Sequence, residues 1–128
     1  MTILIVDTSI WIELLKNKPY PMVDEALSES RIILPPLVVS ELYAGASSIT
    51  DQTWLDAMTE NIPICKTPVD HWRKVGQLRL LLIKKGLHIS TPDAHIAQCA
   101  IDIDGQLLSH DKIFEKSAKF CGLRLAKN

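Results

Sequence analysis

Four acidic residues in this 128-residue chain stand where chemistry is easiest to build. Asp7 follows the run Ile3-Leu4-Ile5-Val6, which reads as a strand buried on both faces. Asp111 follows a second strand over Gln106–Ser109. In open α/β sheets, ligands gather beyond the carboxyl ends of the strands. Asp93 falls in the first turn of a helix, on the face it shares with Ile96, Ala97 and Ala100, and so points inward. Glu41 is set in an apolar helical stretch between Val38 and Leu42, where an ionised carboxylate is costly unless a cation compensates it. All four can reach one end of one sheet. Carboxylates gathered in this way repel one another, and a divalent cation is the usual remedy. Oxygen-only donors suit magnesium or manganese and not zinc. A water of lowered pKa on such an ion can attack a phosphodiester in line.

Each acid also has a purely local use. Asp7 can cap the helix that begins at Thr8, and Asp111 can start the one after it. Asp93 suits a helix N-terminus through the macrodipole alone. Glu41 faces solvent if its helix is rotated. Residue pattern leaves both readings of each acid open. There is no Gly-rich phosphate loop, and no Ser or Cys has a positioned base, so covalent catalysis has little support.

The elements that must position these acids alternate. Helices are predicted over Thr8–Leu15, Met22–Ser30, Leu37–Ala46, Thr53–Glu60, Val69–Lys85, Thr91–Ile103 and Lys112–Phe120. Short strands are predicted at Thr2–Val6, Ile32–Leu34, Ile62–Lys66, Gln106–Ser109 and Leu123–Leu125. Thr91 reads as an N-cap with Pro92 at the first helical position, and Gly86 as the stop of the long helix. The segment Ala46–Asp51 reads as a loop. Trp72, Val75, Leu78 and Leu82 form the expected buried face of the long helix. The alternation favours one α/β domain over residues 1–128, with a mainly parallel sheet covered on both faces.

Composition narrows the partners. No apolar run is long enough to cross a bilayer, and Asp7 interrupts the opening apolar stretch, which carries no basic leader. The cysteines, Cys65, Cys99 and Cys121, are odd in number and lack C-x-x-C spacing. That argues against a disulfide framework or a zinc knuckle and for a reducing cytoplasm. Net charge is −1, but it is segregated. Residues 22–60 carry seven acids against one base, −6, and residues 64–90 carry six bases against one acid, +5. A basic face built from Arg73, Lys74, Lys84 and Lys85 can hold a polyanion, or can simply be a solvated helix surface.

Four segments resemble, in order, those of the PIN-domain family: Leu4-Ile5-Val6-Asp7-Thr8-Ser9, Pro36-Leu37-Val38-Val39-Ser40-Glu41-Leu42, Thr91-Pro92-Asp93-Ala94-His95-Ile96-Ala97 and Leu108-Ser109-His110-Asp111-Lys112-Ile113-Phe114. The compact length resembles the VapC toxins of that family. The resemblance implies a three-layer α/β sandwich and a magnesium- or manganese-dependent endoribonuclease. It makes Asp7, Glu41, Asp93 and Asp111 the catalytic and metal-holding acids, with Ser9 and Ser109 as supporting hydroxyls. It departs at His95, where a small or apolar residue is more usual, and at Ile113, where many members carry a further Asp. It also implies a homodimer and a small antitoxin partner. For that partner the nearly all-apolar helix Ser9–Leu15 offers Trp11 and Leu14 as anchors, unless neighbouring helices bury them.

Two other enzyme classes fit less well. A haloacid-dehalogenase-type phosphatase needs a second Asp where Ser9 stands. A receiver domain needs paired acids and a late Lys that are not evident. A PIN-like module that binds RNA or protein without cutting is the remaining alternative.

Overall fold

The computed structural model describes residues 1–127. Its backbone is a parallel sheet, β1 (Leu4–Val6), β2 (Gln106–Leu108) and β3 (Arg124–Leu125), in the order β1-β2-β3. Parallel bridges Leu4↔Ile32 and Leu34↔Ile64 carry the pairing past β1, so the predicted strands at 32–34 and 62–66 shrink to single bridges. Seven helices surround it: α1 (Thr8–Leu15), α2 (Pro21–Ser28), α3 (Pro36–Ala44), α4 (Ile49–Asn61), α5 (Val69–Lys84), α6 (Thr91–Asp102) and α7 (Lys112–Ala118). Leu4, Ile5 and Val6 are all buried although successive strand side chains point to opposite faces, so both faces of the sheet are covered. This is the α/β arrangement expected of the alternating pattern.

The differences from the predicted elements are local. The loop expected at 46–51 is shorter: residues 46–48 are loop, but Ile49–Asp51 form the first turn of α4, because Ser48 caps it by accepting from the Asp51 N–H at 3.1 Å. The N-cap of α6 is Ser90, one residue earlier than expected, accepting from the Asp93 N–H at 3.2 Å. On α5 the buried face is His71, Val75, Leu78 and Leu82, while Trp72 is exposed at its edge.

Two turns matter for the site. Gly86, at φ +80°, ends α5, and the Leu87 N–H bonds the Leu82 carbonyl at 2.8 Å. The chain then reverses, so that α6 packs antiparallel against α5 and brings Asp93 to the carboxyl end of the sheet. Before β2, a Cβ on Gly105 would lie 2.8 Å from the Ile3 carbonyl oxygen. That oxygen already accepts from the Gln106 N–H at 2.9 Å, the bond that starts the β1–β2 ladder. Gly105→Ala is therefore expected to lower stability by about 1–3 kcal/mol, read as a lower denaturation midpoint at unchanged slope. An unchanged midpoint would show that β2 is free to shift.

Candidate active site

Asp7 is the centre of the site and is 8 % exposed. The end of β1 delivers it, and the start of α1 holds it: Oδ1 accepts from the Thr8 N–H at 2.8 Å. Oδ2 accepts from the Ser109 hydroxyl at 2.7 Å. Ser109 Oγ in turn accepts from the Asp111 N–H at 3.0 Å. One hydroxyl thus ties the carboxyl ends of β1 and β2 together and sets the loop that carries Asp111. Asp111 caps α7 through Oδ1, which accepts from the Ile113 N–H at 3.0 Å. Both acids therefore perform the local capping task that pattern alone allows, and Asp7 also turns its second oxygen to the site.

Glu41, on α3, is exposed and not buried. The desolvation argument that singles it out does not hold. What places it is Thr8, whose hydroxyl donates to Glu41 Oε1 at 2.9 Å. Asp7, Thr8, Ser9, Glu41, His110 and Asp111 line one open cleft of about 490 Å³. Asp93 stands beside it, partly buried at the start of α6. Its carboxyl pKa is raised, first by burial and then by the charges of Asp111, Asp7 and Glu41, against the opposing hydrogen bond from Ser90. Asp93 is thus close enough to feel the charge of the other three acids.

The donor set is carboxylate and hydroxyl oxygen, which fits a hard cation. The acids are set wider than a tight cage: the described residues hold one group of three or more ligands packed within 4.8 Å, and the acids do not form it. Magnesium keeps several of its own waters and needs only one or two direct carboxylates, so a wide, open oxygen site suits it better than a closed one.

The remaining expected residues divide. Ser109 is in place. Ser9 lines the cleft but is exposed, and the hydroxyl that bonds an acid there is Thr8, which pattern does not single out. His110 borders the cleft, with Nε2 2.7 Å from the Tyr20 hydroxyl, which donates to Glu13 at 2.6 Å. His95 turns away into the α5–α6 seam and meets no site acid; burial there, and next the neighbouring His71, hold its pKa down to about 4. Because α5 and α6 run antiparallel, Lys84 and Lys85 lie at the Asp93 end of the hairpin and Arg73 and Lys74 at the other. Lys74 is moreover paired with Asp70 at 3.3 Å.

The partner anchor needs correction. Trp11 is 0 % exposed, packed beneath Trp54 of α4 with ring centroids 6.3 Å apart. Leu14 is only partly buried against the core. The outward apolar groups nearby are Ile12 and Trp54, at 39 % and 40 % exposure. A groove of about 320 Å³ lies between α2 and α4, with Leu27 and Trp54 on its walls and Trp11 at its floor. A second, of about 220 Å³, runs by Ile12, Leu15 and Leu42.

Comparison with known proteins agrees with the fold. The PIN domain family model matches residues 4–119. No curated protein matches the chain. Among solved structures, VapBC2 from Rickettsia felis, bound to a DNA fragment from its promoter, superposes with a TM-score of 0.78 at 23% identity, covering 97% of each chain. DNA-bound VapBC from Salmonella typhimurium gives 0.77 at 22% identity over 98% of each. VapBC-1 from nontypeable Haemophilus influenzae gives 0.76 at 20% identity, covering 98% of this chain and 97% of the other.

Proposed function

The chain belongs to the PIN-domain family, and from that premise we propose that it is a magnesium- or manganese-dependent endoribonuclease, the toxin of a toxin–antitoxin pair. The observation that carries this reading is the meeting of Asp7, Glu41 and Asp111 on one cleft, with Asp93 beside them, its pKa raised by burial and then by their charges. Asp7, Glu41, Asp93 and Asp111 would hold the metal. An ion held there would supply a water of lowered pKa and screen charge on the phosphorus oxygens. Ser109 and Thr8 keep Asp7 and Glu41 turned inward, so that the oxygens need little reorganisation when a phosphodiester arrives. The openness of the cleft suits a polymer that must lie across the site.

RNA would approach over the end of the α5–α6 hairpin that carries Lys84 and Lys85. Replacing both with Gln is expected to flatten the fall of RNA affinity with salt, by about 0.7 in log–log slope for each phosphate no longer neutralised. Arg73→Gln with Lys74→Gln, at the far end, should leave the slope close to wild type. The reverse pattern, measured by filter binding across a salt series, would move the RNA path to the other end.

The likeness to VapBC assemblies supports a protein partner as well. The grooves beside Ile12 and Trp54 are where an amphipathic antitoxin segment fits, in place of the buried Trp11. The exposed Leu80, Leu81 and Ile83 on α5 offer a self-association face for a homodimer. Among the described residues no helix is long and apolar enough to cross a membrane, and free cysteines suit the cytoplasm.

Expression in bacteria tests the reading. The wild-type chain alone should slow growth and leave fragmented RNA, and Glu41→Gln at equal abundance should do neither. Equal slowing by both, or intact RNA in arrested cells, would overturn it.

A further inference from the structure

A second cluster of ligand-type side chains lies in the seam between α5 and α6, apart from the acids. His71 and His95 are 2 % and 0 % exposed. His71 Nε2 lies 2.8 Å from His95 Nδ1, and its Nδ1 lies 2.7 Å from Asp102 Oδ2. Cys99 sits one turn beyond His95 on the same helix face, with Sγ 4.0 Å from Nδ1 and 3.7 Å from Nε2 of that ring. One ligand atom from each of His71, His95 and Cys99 falls within 4.8 Å of the others, which no other such group among the described residues achieves. Trp72 closes one side, stacked on His95 at 4.8 Å and meeting His71 edge-on at 5.0 Å. On the other side His71 and Cys99 open onto a cavity of about 530 Å³ that also touches Cys65 and Asp102.

We propose that His71 Nε2, His95 Nδ1 and Cys99 Sγ form a zinc site distinct from the acid cluster, with a cavity water in the fourth position. Two imidazoles and a thiolate select a borderline ion, not magnesium. Tetrahedral zinc, with bonds of about 2.0–2.1 Å to nitrogen and about 2.3 Å to sulfur, places nitrogens roughly 3.3 Å apart and nitrogen and sulfur roughly 3.6 Å apart. The two rings need to part by about half an ångström and Cys99 Sγ to approach His95 Nδ1 by about as much, while the gap from Cys99 to the His71 ligand atom, within 4.8 Å here, closes by at most about 1.2 Å. Asp102 accepts from His71 Nδ1–H, which leaves the Nε2 lone pair for the ion, and such a carboxylate is the usual outer partner of a metal-bound histidine. On binding, the Cys99 thiol loses its proton to solvent, and the single ring proton of His95, which bridges to His71 Nε2 without an ion, shifts from Nδ1 to Nε2 through solvent and frees Nδ1 for the ion. Without an ion, a hydrogen bond with Cys65 and burial raise the Cys99 pKa and keep it a thiol. A coordinating cation deprotonates such a thiol outright. The ion would clamp α5 to α6, the hairpin that presents Asp93.

Cobalt is the probe. The full chain, reduced and stripped by a chelator, is titrated with Co²⁺. One equivalent should produce a thiolate-to-cobalt charge-transfer band and the intense visible bands of tetrahedral cobalt, quench Trp72 emission, and be displaced by zinc but not by magnesium. Asp7→Asn should leave these signals unchanged. Cys99→Ser should lose the charge-transfer band, and Asp102→Asn should weaken cobalt binding about 10–100-fold. Absence of the band in folded wild-type protein would overturn the proposal, as would its persistence in Cys99→Ser or its loss in Asp7→Asn. If Cys99→Ser fails to fold, the wild-type, Asp7→Asn and Asp102→Asn titrations decide alone.

Discussion

Asp7→Asn is expected to lower the rate of RNA cleavage at least about a hundredfold while the protein stays folded. Outer partners of metal ligands already cost about 10–100-fold when removed, and Asp7 stands inside that layer. The fold should survive because the amide keeps the local geometry. Its oxygen can still accept from the Thr8 N–H, and its NH₂ can donate to Ser109 Oγ, which now gives its own proton elsewhere. Removing one of four mutually repelling acids should leave the melting temperature equal to or above wild type without metal. Cleavage at wild-type rate by this variant, or a melting temperature several degrees lower, would contradict the roles assigned to Asp7.

The second large effect is structural. Trp11→Ala should cost about 3–5 kcal/mol, enough to lower the melting temperature by roughly 10 °C or more. Trp11 is wholly buried beneath Trp54 and links α1 to α4, and α1 begins at the carboxyl end of β1, beside Asp7. Its indole N–H is buried without an acceptor, so the side chain stabilises the protein by packing and not by that polar group. Trp54→Ala, by contrast, should weaken partner binding while shifting the melting temperature less. Both are read by thermal unfolding and by pull-down of the antitoxin. A Trp11→Ala variant as stable as wild type would mean that α1 is far looser than its burial implies.

The uneven legibility of the chain has identifiable causes. Asp7 and Asp111 are visible because strand ends are marked by β-branched or apolar runs that stop at a polar residue. Ser109 and Asp93 follow from the same logic, as a strand end and a helix start. Glu41 is reached for the wrong reason: helical periodicity over nine residues does not settle rotation, and α3 presents it to the cleft as an exposed side chain held by Thr8. Thr8 is hidden because a hydroxyl at a helix start has an ordinary local use. Trp11 is misjudged because an all-apolar helix does not disclose which neighbour covers it; Trp54, on the predicted helix 53–60, is the cover, and only the tertiary fold seats it there. The His95–Cys99 spacing is legible as one helix face, but its partner His71 lies 24 residues away on α5, and only the tertiary fold brings the three together.

The central claim is tested most directly on purified components. Wild-type protein is incubated with end-labelled structured RNA in manganese, in magnesium and in excess chelator, with Asp7→Asn and Glu41→Gln alongside. The account predicts discrete internal cuts with either metal, none in chelator, and none with either variant. Full cleavage in chelator, or by the Asp7→Asn protein, would contradict it, and so would intact RNA under every condition with a folded, metal-loaded wild type.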